Sequence, residues 1–247
     1  LWLRRTSLRL ALLWAVLSIP FVIAAAVEGV SLPVIAIVVL VTGAYLLFWV
    51  ALAVLIGRLR WSSVANAATL AAAWLVLVLI VPTLGHVAIN VAVPVAQGAE
   101  IALAQREAVN HAWDVPREDT MRRFYTNHPE WADSAPLGPE FHYKWYLAFH
   151  QNGDESVAKR VAAYRARLEA RDAAGRALGW VLPSVGVQGL LTRLADTDLR
   201  GQLAYQDRVR DFHARLRAFY YRYLFRDLPF GKADFDRAPV FEDPPAR

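Results

Sequence analysis

The chain has 247 residues, 56% apolar and 20% charged, with no cysteine and a formal net charge of +5. An apolar share above the roughly 45 to 50% of ordinary soluble domains excludes a wholly soluble protein, and the absence of Cys excludes disulfides and thiolate metal sites. The charge is divided unevenly: residues 1–96 carry Arg4, Arg5, Arg9, Arg58 and Arg60 against Glu28 alone, whereas residues 97–247 carry 22 basic and 21 acidic residues, a balance that excludes nucleic acid as a partner.

The first predicted element is an apolar run from about residue 8 to 27, opened by Arg9 and interrupted by Pro20. Its basic start and the small residues near Ala26 also suit a secretory leader, and RRTSL has the look of a twin-arginine export signal. Two further spans follow at once, which favours a retained membrane helix, and the initial Leu suggests a fragment or a trimmed product. The second run, residues 32–56, has no charge at all. A third begins near Val64 and is apolar to about residue 84. A bilayer core about 30 Å thick needs about 20 apolar helical residues, so each run is long enough to span it. Each is apolar around its whole circumference, unlike an amphipathic surface helix.

Beyond the third run, Pro82, His86, Asn90 and Pro94 recur every four residues and share a helix face. A helix from Val64 to Val95 would be about 48 Å long, more than the hydrocarbon core requires. His86, Asn90 and Pro94 are therefore expected at or beyond the interface, where polar groups cost little.

The short loops set the orientation. The N-terminal flank and residues 57–63 carry Arg, whereas the Glu28-Gly29 turn carries none. The positive-inside rule then places the N-terminus and residues 57–63 in the cytoplasm, and everything after the third span outside.

Residues 97–247 read as mainly helical. Gln97–Trp113 is expected to continue the third span as one long helix, and residues 126–139 form a loop rich in Pro, Asn, Asp and Gly. A short aromatic helix follows from Glu140 to Gln151, ended by Asn152-Gly153; Asp154 then caps a helix to Arg176, with Val157, Val161, Tyr164 and Leu168 on one face. Residues 177–195 are apolar enough to suggest a fourth span. Pro183, the glycines, Gln188 and Arg193 favour a buried or interfacial segment instead. Thr197 or Asp198 opens a last helix to Phe225, with Val209, Phe212, Leu216, Phe219 and Tyr223 as a packing stripe and Arg208, Arg215 and Arg222 on a solvated face. The aromatic run 219–225 could lie near lipid headgroups, and the proline-rich tail contains no span. The fold class expected is all-α: polytopic membrane helices in residues 1–96, then a mainly helical extracytoplasmic domain in residues 97–247.

Catalytic motifs were sought without result. There is no Gly-rich phosphate loop, no zinc-protease His pair and no nucleophile elbow around Ser134 or Ser184. His111, His128, His142, His150 and His213 include no pair at ligand spacing. No catalytic residue, metal or cofactor is assigned.

Residues 44–84 carry an aromatic run from Tyr45 to Trp49, a Ser62–Ala67 turn into a span, Trp74 and a closing Pro82; downstream come WVLPSV at 180–185, TDLRGQLAYQDRVRDFH and the aromatic 219–225 run. In these features the chain resembles permease subunits of type-2 ABC exporters, in particular an uncharacterised bacterial branch with a large domain between the penultimate and last spans. The likeness covers most of the chain through loose motifs. It implies a six-span half-transporter of the bacterial inner membrane. Here the third, fourth and fifth spans would be present, and the first two, the ATPase-docking helix and the sixth absent. It also implies partnership with a cytoplasmic ATP-binding subunit, which would hydrolyse ATP, and with a second permease subunit, identical or not. By analogy, Tyr45, Trp49, Asn66 and Asn90 are the candidate transport-path residues. The competing reading is a membrane-anchored extracytoplasmic binding or sensor module.

Overall fold

A computed structural model describes residues 2–242, which contain helices and turns and no strand. Three of the helices are long and apolar enough to cross a membrane, over Ser7–Val27, Leu32–Gly57 and Ser63–Ala92. The protein is thus a membrane protein. The apolar side chains of these helices, such as Val16, Leu40 and Val64, are exposed rather than packed inside the chain, as expected where lipid is the solvent.

Helix α1 (Trp2–Val27) ends in a turn where Gly29 adopts φ 73°, with Val30 N–H donating to Ala25 O and Gly29 N–H to Ala26 O. This is a Schellman closure, and it needs a residue that tolerates the left-handed region. Helix α2 (Leu32–Gly57) returns beside α1, joined by the Trp14 indole N–H donating to Val39 O at 2.9 Å. The third span begins at the Ser62 cap, whose hydroxyl accepts from Ala65 N–H. It comprises α3 (Ser63–Leu75), a π-helical turn at Val76–Ile80 and α4 (Val81–Ala92).

The expected continuation of this span into residues 97–113 does not occur. Residues 93–97 are irregular, and α5 (Gly98–His111) is a separate helix. Pro94 supplies the reason: it has no N–H and disfavours helical geometry at the preceding residue, and Val93 indeed sits at φ −123°, ψ 77°.

After α6 (Arg117–Asn127) and a short 3₁₀ turn comes α7 (Tyr143–Val181), 39 residues without a break. The stop expected at Asn152-Gly153 is absent because both residues serve packing. Asn152 Nδ2 donates to Thr120 O at 3.0 Å, and a Cβ on Gly153 would stand 2.5 Å from Val109 Cγ2. The chain closes with α8 (Pro183–Leu194), α9 (Leu199–Phe225) and α10 (Lys232–Phe235). Asp198 caps α9 by accepting from Gly201 N–H at 2.9 Å.

The chain forms two compact units whose boundaries fall between Val93 and Pro94, inside α7 and inside α9. The first joins residues up to Val93 with Arg171–Gln202, a segment that the sequence reading placed in the 97–247 domain. The second comprises Pro94–Ala170 and residues 203–242. Its core is aromatic: Phe124 stacks on Phe225 at 5.0 Å, and Trp145, Phe149 and Tyr221 pack around them. Lys144, only 2% exposed, donates from Nζ to Asp227 at 2.9 Å. The predicted stripe on α9 is half-buried and lies under the C-terminal segment, with Phe212 5.4 Å from Phe241 and Tyr223 5.1 Å from Phe230. The fully buried face of α9 is Leu203, Tyr221 and Phe225 instead.

Candidate functional site

The end of α7 and all of α8 form a helical hairpin that breaks at Leu182-Pro183, where Leu182 is extended at φ −107°, ψ 105°. Proline at the start of α8 has no N–H to lose there. The arms close tightly: a Cβ on Gly186 would stand 2.4 Å from Gly179 O, so only glycine fits. Small residues permit such backbone approach wherever lipid supplies no hydrophobic drive for association.

The hairpin packs along the third span in register. Arg171 Nε donates to Val93 O at 2.7 Å, and Nη2 makes a longer contact to Asn90 O at 3.4 Å, placing a cation on the unsatisfied carbonyls at that helix end. Deeper, Leu178 lies against Gly85, where a Cβ would come within 2.6 Å of Leu178 Cδ2. Deepest, the Ser184 hydroxyl donates to Leu77 O at 3.2 Å.

The backbone explains that last bond. In the π turn, Val81 N–H donates to Val76 O, five residues back. The same pattern would pair Leu77 O with residue 82, but Pro82 has no N–H. A carbonyl freed in an apolar helix needs another donor, and Ser184 supplies it. Leu77 is midway along the 30-residue span, so the hairpin turn reaches the middle of a helix long enough to cross a membrane.

Between the hairpin and α2 lies a cavity of about 1040 Å³. Its α2 wall is Val41, Ala44, Tyr45 and Phe48, and Gly175, Gly179, Gly186 and Gly189 line the hairpin side. Charge is confined to the hairpin's open end, with Asp172 and Arg176 on one arm, Arg193 on the other and Asp198 just beyond. Asp172 pairs with Arg176 and lies 3.8 Å from Arg200, and Asp198 is engaged in its cap. Arg193 is exposed and makes no ion pair or hydrogen bond through its side chain among the described residues.

Of the four sequence-predicted path residues, the structure brings only Tyr45 to this cavity. Trp49 packs edge-on against Tyr45 and Phe48. Asn66 is near the start of the third span, with a buried Oδ1 that has no partner among the described residues. Asn90 is near the other end, about 36 Å of helix away, and Arg171 reaches its backbone oxygen. The four do not form one site. Sequence reading missed the glycines, Arg176 and Arg193; the available signal was the helical spacing of Gly175 with Gly179 and of Gly186 with Gly189.

The second unit holds polar clusters but, among the described residues, no group of three His, Asp or Glu able to hold a metal. Burial of Glu155 opposes its ionisation, yet hydrogen bonds from Gln151, His128 and Asn127 together outweigh it and lower its pKa. A two-point contact from Arg165, at 2.5 and 2.6 Å, holds Asp207 below the usual carboxylate range. Asp234 is likewise lowered, first by Gly231 N–H and then by the Tyr223 hydroxyl. Burial pushes Tyr221 up to about 12.

Residues 99–243, more than half of the chain, match the family described as Domain of unknown function (DUF3526). The chain belongs to this family. The DUF3526 match takes in the hairpin and all the later helices and stops short of the three spans. No curated protein and no solved structure matches the chain.

Proposed function

We propose that the chain is an integral-membrane permease subunit of an ATP-binding-cassette exporter in the bacterial inner membrane. Its N-terminus and residues 57–63 face the cytoplasm, and the chain leaves the third span on the outer side. ATP hydrolysis belongs to a separate cytoplasmic subunit, and a second permease subunit completes the pathway. The hairpin is the observation that supports this best. An outer domain that is merely tethered has no use for a segment seated beside mid-span, whereas a transporter needs elements at that depth that can repack between two arrangements. The π turn at 76–80 and Pro82 put irregular helix at the same level, as is frequent at functional sites.

The deciding experiment is extraction of the native protein from its own membranes in mild detergent, followed by intact and peptide mass spectrometry. A co-purifying P-loop ATPase supports the exporter; its reproducible absence favours the anchored binding or sensor module. Orientation is tested separately. In the cysteine-free chain, Ser134→Cys should react with an impermeant maleimide in intact cells and Ser62→Cys should not.

A further inference from the structure

We propose that the cavity between α2 and the hairpin is a binding site for an anionic phospholipid of the surrounding bilayer. This stands whether or not the chain is part of an exporter. The hairpin turn lies beside Leu77 at mid-span, and Trp180 and Val181 at that turn are 92% and 76% exposed. A cavity open at that depth meets hydrocarbon rather than water. Its deep part is apolar, formed by Val41, Phe48 and Val185, and Gly175 and Gly189, where a Cβ would meet nothing within 4 Å, leave the hairpin wall of the cavity open. Acyl chains suit such walls.

The open end selects the headgroup. Asp172 is neutralised by Arg176 with Arg200 nearby, and Asp198 is occupied by its cap. Arg193 is left as a cation without a partner among the described residues, and exposed Gln188, five residues earlier on α8, also lines the cavity. Guanidinium donors fit phosphate oxygens at two points. A phosphodiester without a compensating ammonium therefore complements this end better than a zwitterion does.

The test uses the full chain in phosphatidylcholine vesicles carrying a trace of either phosphatidylglycerol or phosphatidylcholine with a photoactivatable diazirine on one acyl chain. Adducts are mapped by peptide mass spectrometry. Labelling should concentrate in residues 175–190, about fivefold stronger with the phosphatidylglycerol probe. Arg193→Gln should abolish that preference and leave the adducts in place. Gly189→Phe should cut labelling by both probes severalfold with an unchanged unfolding midpoint, because a Cβ there meets nothing within 4 Å and the ring can enter the cavity. Equal labelling of the unmodified chain by the two probes would overturn the headgroup assignment. Adducts that avoid the hairpin, or that persist in a folded Gly189→Phe protein, would overturn the site.

Discussion

Ser184 and Leu77 are 107 residues apart in the chain and are joined by one hydrogen bond. Removing its donor strands a carbonyl that Pro82 has already deprived of a helical partner. Ser184→Ala should therefore lower stability by about 1 kcal/mol and Ser184→Thr much less; a thermal midpoint for the alanine variant equal to that of the unmodified protein would mean that Leu77 O is satisfied otherwise. Lys144 poses the charged version of the same question. Asp227→Asn keeps a residue tolerant of the φ of 48° at that position but removes the counter-ion. Stranding a buried ammonium costs about 3 kcal/mol, and roughly 2 is expected here because Asp227 is half exposed. Denaturant unfolding of the two proteins side by side measures it. Protonation gives a third handle. Glu155 ionises more readily folded than unfolded, so its stabilisation is present above an unfolded value of about 4.3 and is lost as pH falls through the lower folded value. Asp207 and Asp234 add to the same acid limb. Tyr221 works oppositely: its contribution is complete below about pH 10 and fades as pH rises towards 12. Midpoints measured across pH should show a shallower acid limb for Glu155→Gln, with the alkaline limb largely kept because burial is the main cause of the Tyr221 shift and the Glu155 charge only a minor one.

Among the elements, the hairpin makes the sharpest claim. Val181 is 76% exposed, yet it adjoins a turn bonded to mid-span. A thiol at Val181→Cys should resist impermeant and lipid-soluble maleimides alike, because hydrocarbon suppresses the thiolate that attacks them, whereas Thr192→Cys at the open end should react with both. Gly186→Ala forces a methyl onto Gly179 O, at a cost of about 1 to 3 kcal/mol, and should expose Val181→Cys to the impermeant reagent. The spans were legible because their pattern needs only length and uniform hydrophobicity. Errors arose where one residue type serves two purposes. Gly153 read as a stop and proved to be a contact surface for Val109; Pro94 read as a point along a helix face and proved to be the break. Sequence spacing carries periodicity, but it does not say whether a glycine marks a turn or a close approach.

Across the whole molecule, the candidate site was the least legible part, because the cavity assembles α2 with residues more than 120 positions later and no local pattern announces such a pairing. Tyr45 was found through its aromatic neighbours; Arg193 was visible only as an argument against a fourth span. Asn66 remains a useful probe of the exporter reading. Its Oδ1 is buried without a partner among the described residues, so Asn66→Leu should not reduce stability, and reduced export at normal protein level would place it on the pathway. Unchanged export would remove it. The hairpin also bears on how the DUF3526 region behaves away from its spans. Produced alone from residue 97, that polypeptide would carry into water an arm whose α2 and third-span partners are missing, with Leu178, Trp180 and Val181 uncovered together. Self-association through that arm, relieved by excising residues 171–202, is how the missing membrane should announce itself in a test tube.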